Sequence, residues 1–439
     1  MTSTYLKKAT PRQAGETADL RDSVSLMLTN IENQGEEAVR RYCERLDNWR
    51  GDIVLSDQDR DAAVHRVPQE MQDTIRFAQD NIRRFAEAQK ATLSDCEVEL
   101  MPGHWAGQKQ IPVTSAGCYV PGGRYAHVAS ALMSITTAKV AGVHHITAAS
   151  PTRPDTGIPD AIVYAMDLCG ADTILNLGGV QAVATMAFGL FGTTPADILV
   201  GPGNSYVAES KRQLFGRVGI DMFAGPTDSL VIADHTADPL VVAWDLVGQS
   251  EHGQDSPVWL VTNDRALAEK VLAQVPQLIE TLPEPNATAA RISWAERAEV
   301  ILCDTPEDMA RTADDYAPEH LHVQAADLDW WLSRLSVYGS LFLGPHTTVA
   351  FGDKTSGPNH VLPTNGAARY TGGLSVQKFT KTVTWQRTEP CAVRQLAKAT
   401  AAISRLEGMV GHARSAEIRL ERDVNKAAPH SARRGPVRA

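Results

Sequence analysis

The sequence predicts an α/β protein built on doubly wound parallel sheets, and three observations carry that prediction. Between Ile111 and Asp234 short apolar runs alternate with helix-like segments, the pattern of parallel β-α-β units. A second alternating block follows from Val258 to Leu343. Charge-rich stretches with apolar residues at helical spacing precede and follow the two blocks.

Taken in order, residues 17–49 place Ile31, Ala38, Val39, Tyr42 and Leu46 at helical spacing, and residues 57–90 repeat the pattern. Strands are expected at 145–149, 173–177, 198–200 and 230–233, then at 258–262, 300–302 and 340–343, with a helix over 264–282. The natural division is two incomplete Rossmann-like domains, a large one from 23–118 with 228–374 and a second from 119–227. Residues 1–22 form an N-terminal extension. Residues 375–439 form a C-terminal helical domain with its main helix at 392–422, and the tail bearing Pro429, Arg433, Arg434, Pro436 and Arg438 is expected to be disordered.

A chain of 439 residues exceeds what one core usually organises, and 43% hydrophobic with 21% charged residues is an ordinary globular balance. A net charge of -10 argues against a nucleic-acid binder. The six cysteines are scattered singly and read as reduced thiols, and no segment has the form of a signal peptide or membrane anchor, so a cytoplasmic location with no membrane partner is expected.

Five groups of residues could carry chemistry. Gln249 and His252 share a face if their segment is helical, with Gly253 as the stop, and could offer two ligands to one metal; equally they could be surface or capped residues. Pro318-Glu319-His320-Leu-His322 sets an acid beside an imidazole, suited to proton transfer on an alcohol, or merely to a hydrogen-bonded strand start. The loop Gly352-Asp353-Lys-Thr-Ser-Gly357-Pro-Asn359-His360 could present Asp353 and His360 to one cavity, or could be a turn. Glycine loops at Gly122-Gly123, Gly178-Gly179 and Gly201-Pro-Gly203 each follow an expected strand and precede an expected helix, where backbone amides accept phosphate, yet none is a full dinucleotide fingerprint. Glu407 and His412, five apart in the last helix, share no face.

The chain resembles the histidinol dehydrogenases from about Asn30 to Arg422. The resemblance is carried by Tyr119-Val-Pro-Gly-Gly, Ala138-Lys-Val-Ala-Gly, Gly201-Pro-Gly-Asn-Ser-Tyr-Val, Gly216-Arg-Val-Gly-Ile-Asp, Ala224-Gly-Pro, Gln249-Ser-Glu-His-Gly, Tyr316-Ala-Pro-Glu-His-Leu, Gly339-Ser-Leu-Phe-Leu-Gly-Pro and Asn359-His-Val-Leu-Pro-Thr. It implies a zinc- and NAD-dependent dehydrogenase. The implied ligands of one zinc per subunit are Gln249, His252, Asp353 and His412, and the implied catalytic pair is Glu319 and His320. Tyr119, Gln181 and Asn204 would contact NAD; Thr227, His360 and Glu407 would contact substrate. The resemblance also implies a domain-swapped homodimer with Glu407 and His412 supplied in trans.

Two departures bear on substrate. Gly225-Pro226-Thr227-Asp228 stands where histidinol enzymes usually read Gly-Pro-Ser-Glu, and Arg124 follows two glycines where they have small uncharged residues. With Ala368-Arg369-Tyr370 and Lys378-Phe-Thr-Lys, this loop resembles a branch of the family that oxidises 2,3-dihydroxypropane-1-sulfonate to sulfolactate. Arg124 could meet the anionic end of such a diol, contact a cofactor phosphate, or be solvated. The leading reading is four-electron oxidation of a small anionic diol through a bound aldehyde. L-histidinol oxidation is the alternative, and a zinc hydrolase or non-catalytic metal-binding protein is the reading from another class.

Overall fold

The computed structural model describes residues 4–10, 17–122, 127–154, 156–223 and 225–421. The chain divides into two compact units, one of residues 1–92 with 112–380, the other of 93–111 with 381–439. Its strands, in chain order, are β1 (Thr4–Lys7), β2 (Cys96–Met101), β3 (His104–Pro112), β4 (Ser115–Tyr119), β5 (His145–Ser150), β6 (Thr173–Asn176), β7 (Ile198–Val200), β8 (Gly219–Ile220), β9 (Ser229–Ala233), β10 (Val258–Thr262), β11 (Glu299–Leu302), β12 (His320–Gln324), β13 (Ser340–Leu343) and β14 (Thr380–Thr388).

The first unit holds two parallel sheets. One runs β6-β5-β4-β7-β8, the other β11-β10-β9-β12-β13 with β1 added antiparallel at its edge. Both therefore place their first strand centrally, with the next two on one side and the last two on the other. No sequence repeat announces this shared order. β4 and β9 are buried at every position, the mark of strands covered on both faces. In β9 the alternation is visible in the cores: Leu230 and Ile232 join Leu321, Val323 and Trp331 on one face, while Val231 and Ala233 join Val242, Leu246 and Leu260 on the other. The helix Thr17–Gln34 buries Val24 and Ile31 against the helix Gly179–Phe188 over the β4 sheet.

The long helices expected near the ends are broken. Residues 17–49 form Thr17–Gln34, Glu36–Tyr42 and a π-helical turn, Cys43–Asp47, because Gly35 adopts φ 60°. Residues 57–90 split into Asp57–Arg66 and Gln69–Ala91 around Pro68, whose ring cannot continue a helix. The final helix divides into Pro390–Leu406 and Val410–Glu421, with Gly408 at φ 76° between them. The C-terminal segment also opens with a strand: β14 pairs with β3 and β3 with β2 in a three-stranded sheet. The expected disorder of the tail concerns residues outside those described.

Candidate active site

Catalytic residues were expected at Glu319 and His320, and both lie at the amino end of β12, buried to 5% and 3% exposure. A left-handed Ala317 (φ 50°) ends the helix Pro306–Tyr316, and Pro318 then feeds the chain into the strand. Asp228, just before the neighbouring β9, clamps the pair. Its carboxylate accepts from the amides of Glu319 (2.6 Å) and Asn365 (3.2 Å), and its own amide donates to Glu319 Oε2 (3.1 Å). Its carbonyl accepts from the His320 amide and faces His320 Nδ1, both at 3.2 Å. A carbonyl can only accept, so Nδ1 carries the proton toward it and Nε2 is left as the reactive nitrogen.

His320 Nε2 is buried, has no hydrogen-bond partner, and stands 3.6 Å from Asp353 Oδ1. Asp353 caps the one-turn helix Val349–Gly352, and its Oδ2 lies 3.7 Å from His252 Nε2. Burial raises the Glu319 carboxyl above its ordinary value. Burial pulls the other way on His320, but the Glu319 and Asp353 carboxylates outweigh it and raise that imidazole. Burial would also raise Asp353, yet its contacts with His252 and His320 hold the carboxyl well below the usual range. His360 faces the Asp353 carbonyl through Nδ1 at 2.9 Å and the Ser130 hydroxyl through Nε2 at 3.1 Å. His320, Asp353, His360, Asn359 and Phe342 line a cavity of about 310 Å³, at the small end of ligand sites.

The helix that carries Gln249, Pro239–Ser250, stops before His252, so the two do not share a helical face as expected. His252 instead sits one turn beyond, its amide bonded to the Gln249 carbonyl at 3.3 Å. Gln249 Oε1 is buried with nothing to accept from, as suits an oxygen ligand awaiting a cation. Among the described residues no three His, Cys, Asp or Glu side chains are spaced to hold a metal ion. Of Gln249, His252 and Asp353, the structure brings His252 and Asp353 into contact, and the three side chains together offer one nitrogen and two oxygen donors, chemistry of the kind zinc accepts.

At the β4 sheet Gly122, Gly178-Gly179 and Gly201-Pro-Gly203 follow β4, β6 and β7, at the carboxyl ends where parallel sheets bind ligands; Gly123 lies outside the described residues. The Tyr119 hydroxyl accepts from the Gly179 amide (3.1 Å), and Gln181 Nε2 donates to Asp47 (2.7 Å) while its Oε1 is buried and unpartnered. Asn204 caps the helix Ser205–Leu214 by accepting from two amides at 3.1 Å. Gly201 has φ 110°, and a Cβ there would meet the Tyr119 carbonyl at 2.0 Å, so only glycine lets this loop close on β4.

Thr227 is half-buried beside Asp228. Arg124 lies outside the described residues. Glu407 and His412 belong to the second unit and are exposed there; His412 lines a groove of about 710 Å³ between the two C-terminal helices. Asp228, Asp47 and Asp245 were not expected as site residues. Only Asp228 had a signal, as a departure from the family string.

No helix among the described residues is long and apolar enough to cross a membrane. The family model for histidinol dehydrogenase matches residues 10–420. The chain is 65% identical to "Histidinol dehydrogenase homolog" of Ruegeria pomeroyi over 96% of this chain and 98% of that one. It is 60% identical to "Sulfopropanediol 3-dehydrogenase" of the same organism, over 96% and 97%. "Histidinol dehydrogenase" of Haloarcula marismortui is 37% identical over 93% and 96%. The crystal structure of histidinol dehydrogenase from Elizabethkingia anophelis superposes with a TM-score of 0.88 at 32% identity, covering 94% of each chain. Matched by the family model over residues 10–420 and by relatives over nearly their whole length, the chain belongs to the histidinol dehydrogenase family of oxidoreductases.

Proposed function

We propose that the chain oxidises a short anionic diol, 2,3-dihydroxypropane-1-sulfonate or a close analogue, to its carboxylate through an aldehyde held at the site. The observation that carries this reading is the buried Glu319–His320 pair opening on a small cavity through an unpartnered Nε2. The 60% identity to sulfopropanediol 3-dehydrogenase supports the anionic substrate.

His320 Nε2, once deprotonated, takes the proton of the substrate hydroxyl, and Nδ1 stays held on the Asp228 carbonyl, which fixes the ring's orientation. His360, lining the cavity, would contact substrate, and its nitrogens also face the Asp353 carbonyl and the Ser130 hydroxyl, which helps hold the loop that carries Asp353. Glu319, raised by burial, receives a proton from the water that adds to the aldehyde. Gln249, His252 and Asp353, with His412, would hold zinc, and Tyr119, Gln181 and Asn204 would hold NAD. When bound, the metal polarises the substrate oxygen and NAD accepts the hydride lost in each of the two oxidations.

The active form is a homodimer in which Glu407 and His412 reach the neighbouring subunit's site. The exposed apolar side chains of the C-terminal helices, Ile403, Leu406, Met409 and Val410, support a partner there. The test is NADH formation by the zinc-loaded protein with each alcohol. A higher kcat/KM for the sulfonated diol than for L-histidinol is expected; the reverse order would assign the chain to histidinol.

A further inference from the structure

We infer that Asp245 is the positioning residue of the metal site, tying together the three elements that carry its ligands and the catalytic histidine. The inference rests on the zinc reading above. Asp245 lies on the helix Pro239–Ser250 four residues before Gln249, so the two share a face. Its Oδ2 accepts from Gln324 Nε2 at 2.7 Å and stands 3.3 Å from His322 Nδ1, off the direction of a formed hydrogen bond. Both partners are on β12, almost wholly buried, and the His320 of the catalytic pair begins the same strand. Oδ1 accepts from the Thr348 hydroxyl at 2.8 Å.

Thr348 is the N-cap of the single helical turn Val349–Gly352, and its oxygen in turn accepts from the Ala350 amide at 3.4 Å. Asp353 is the next residue after that turn. One carboxylate therefore links the helix that bears Gln249 and leads into His252, the strand bearing His320, and the turn that precedes Asp353. A one-turn helix has too few internal hydrogen bonds to hold its own orientation, so the Thr348 anchor at its start acts with the His360 contact to the Asp353 carbonyl in setting where Asp353 points. His322 Nε2 separately meets the Gly344 carbonyl at 3.0 Å, tying β12 to the end of β13. Groups that orient metal ligands in this way usually tune affinity by about 10–100-fold.

The test measures zinc affinity by competition with a chelator on the full-length protein, together with the visible spectrum of the cobalt-substituted form and the melting temperature without metal. Asp245→Asn should weaken zinc binding by about 10–100-fold and shift the cobalt bands, and Thr348→Val should do the same toward the lower figure. Thr348→Ser, which keeps the hydroxyl, should restore both. Wild-type affinity and spectrum in Asp245→Asn and Thr348→Val, with only the melting temperature lowered, would overturn the inference and leave Asp245 a structural residue. If Asp245→Asn fails to fold, Thr348→Val and its serine rescue decide. Absence of stoichiometric zinc from the wild type, or unchanged binding in His252→Ala, would instead sink the zinc reading and the inference with it.

Discussion

Gly339→Ala should disable the catalytic pair without touching a catalytic side chain. Gly339 precedes β13 and donates to the Pro318 carbonyl at 2.9 Å, while Ser340 donates to the Glu319 carbonyl at 2.9 Å. A Cβ on Gly339 would stand 2.5 Å from the Glu319 carbonyl oxygen and 3.1 Å from Pro363 Cδ. Ordinary contact requires that oxygen to retreat by about 1 Å, and it belongs to the peptide joining Glu319 to His320. A misplacement of that size costs on the order of 100-fold in rate when it moves reacting groups. The assay is steady-state NADH formation, with metal content and melting temperature measured on the same samples. The expected result is kcat lowered about 100-fold with zinc retained. Gly372→Ala, where a Cβ would meet nothing within 4 Å, is the control and should keep full activity. Wild-type kcat in folded Gly339→Ala would show that the register of β12 against β13 does not position the pair.

Other outcomes follow from the same geometry. His320→Ala and Glu319→Gln should cut turnover while leaving zinc content nearly intact, whereas His252→Ala should lose the metal; equal metal loss in all three, read by elemental analysis, would contradict the division of roles. Mixing inactive His320→Ala with inactive His412→Ala after dissociation and reassembly should restore about a quarter of wild-type activity, since half the dimers are mixed and each has one intact site. No recovery would place His412 within its own subunit's site. Burial pushes the thiols of Cys43, Cys118 and Cys169 up to about 12, so at pH 8 they stay protonated, and a thiol reagent should label Cys96 and Cys391 first. Labelling of Cys118 in the native protein at a similar rate would show that the β4 sheet opens.

The strands were legible where burial covers both faces. Residues 230–233 and 198–200 are continuous apolar runs, and such a run flanked by turn residues has few other readings. The helix breaks were less legible, because apolar spacing continues across Gly35, Pro68 and Gly408 while the backbone does not. β2 does alternate, Glu97-Val98-Glu99-Leu100, but Val98 and Leu100 are exposed, so its pattern marks no core. At the site, Glu319 and His320 are adjacent in sequence, but an acid beside an imidazole there reads equally well as a strand start, and it is the family resemblance that marks them as a pair. Their clamp, Asp228, is 91 residues away, and nothing local in Thr227-Asp228-Ser229 says that its carboxylate faces Glu319. Asp245 is equally silent: its partners Gln324 and Thr348 lie 79 and 103 residues on. Pairings of that kind are set by strand order, which the sequence pattern does not specify.

The stoichiometry of the reaction tests the account most directly. Limiting 2,3-dihydroxypropane-1-sulfonate, incubated with excess NAD and zinc-loaded protein, should yield two NADH for each molecule consumed, with sulfolactate formed and no aldehyde captured by a hydrazine trap. One NADH with trapped aldehyde, or no NADH from this diol or from L-histidinol while zinc is bound, would contradict oxidation to the carboxylate at a single site.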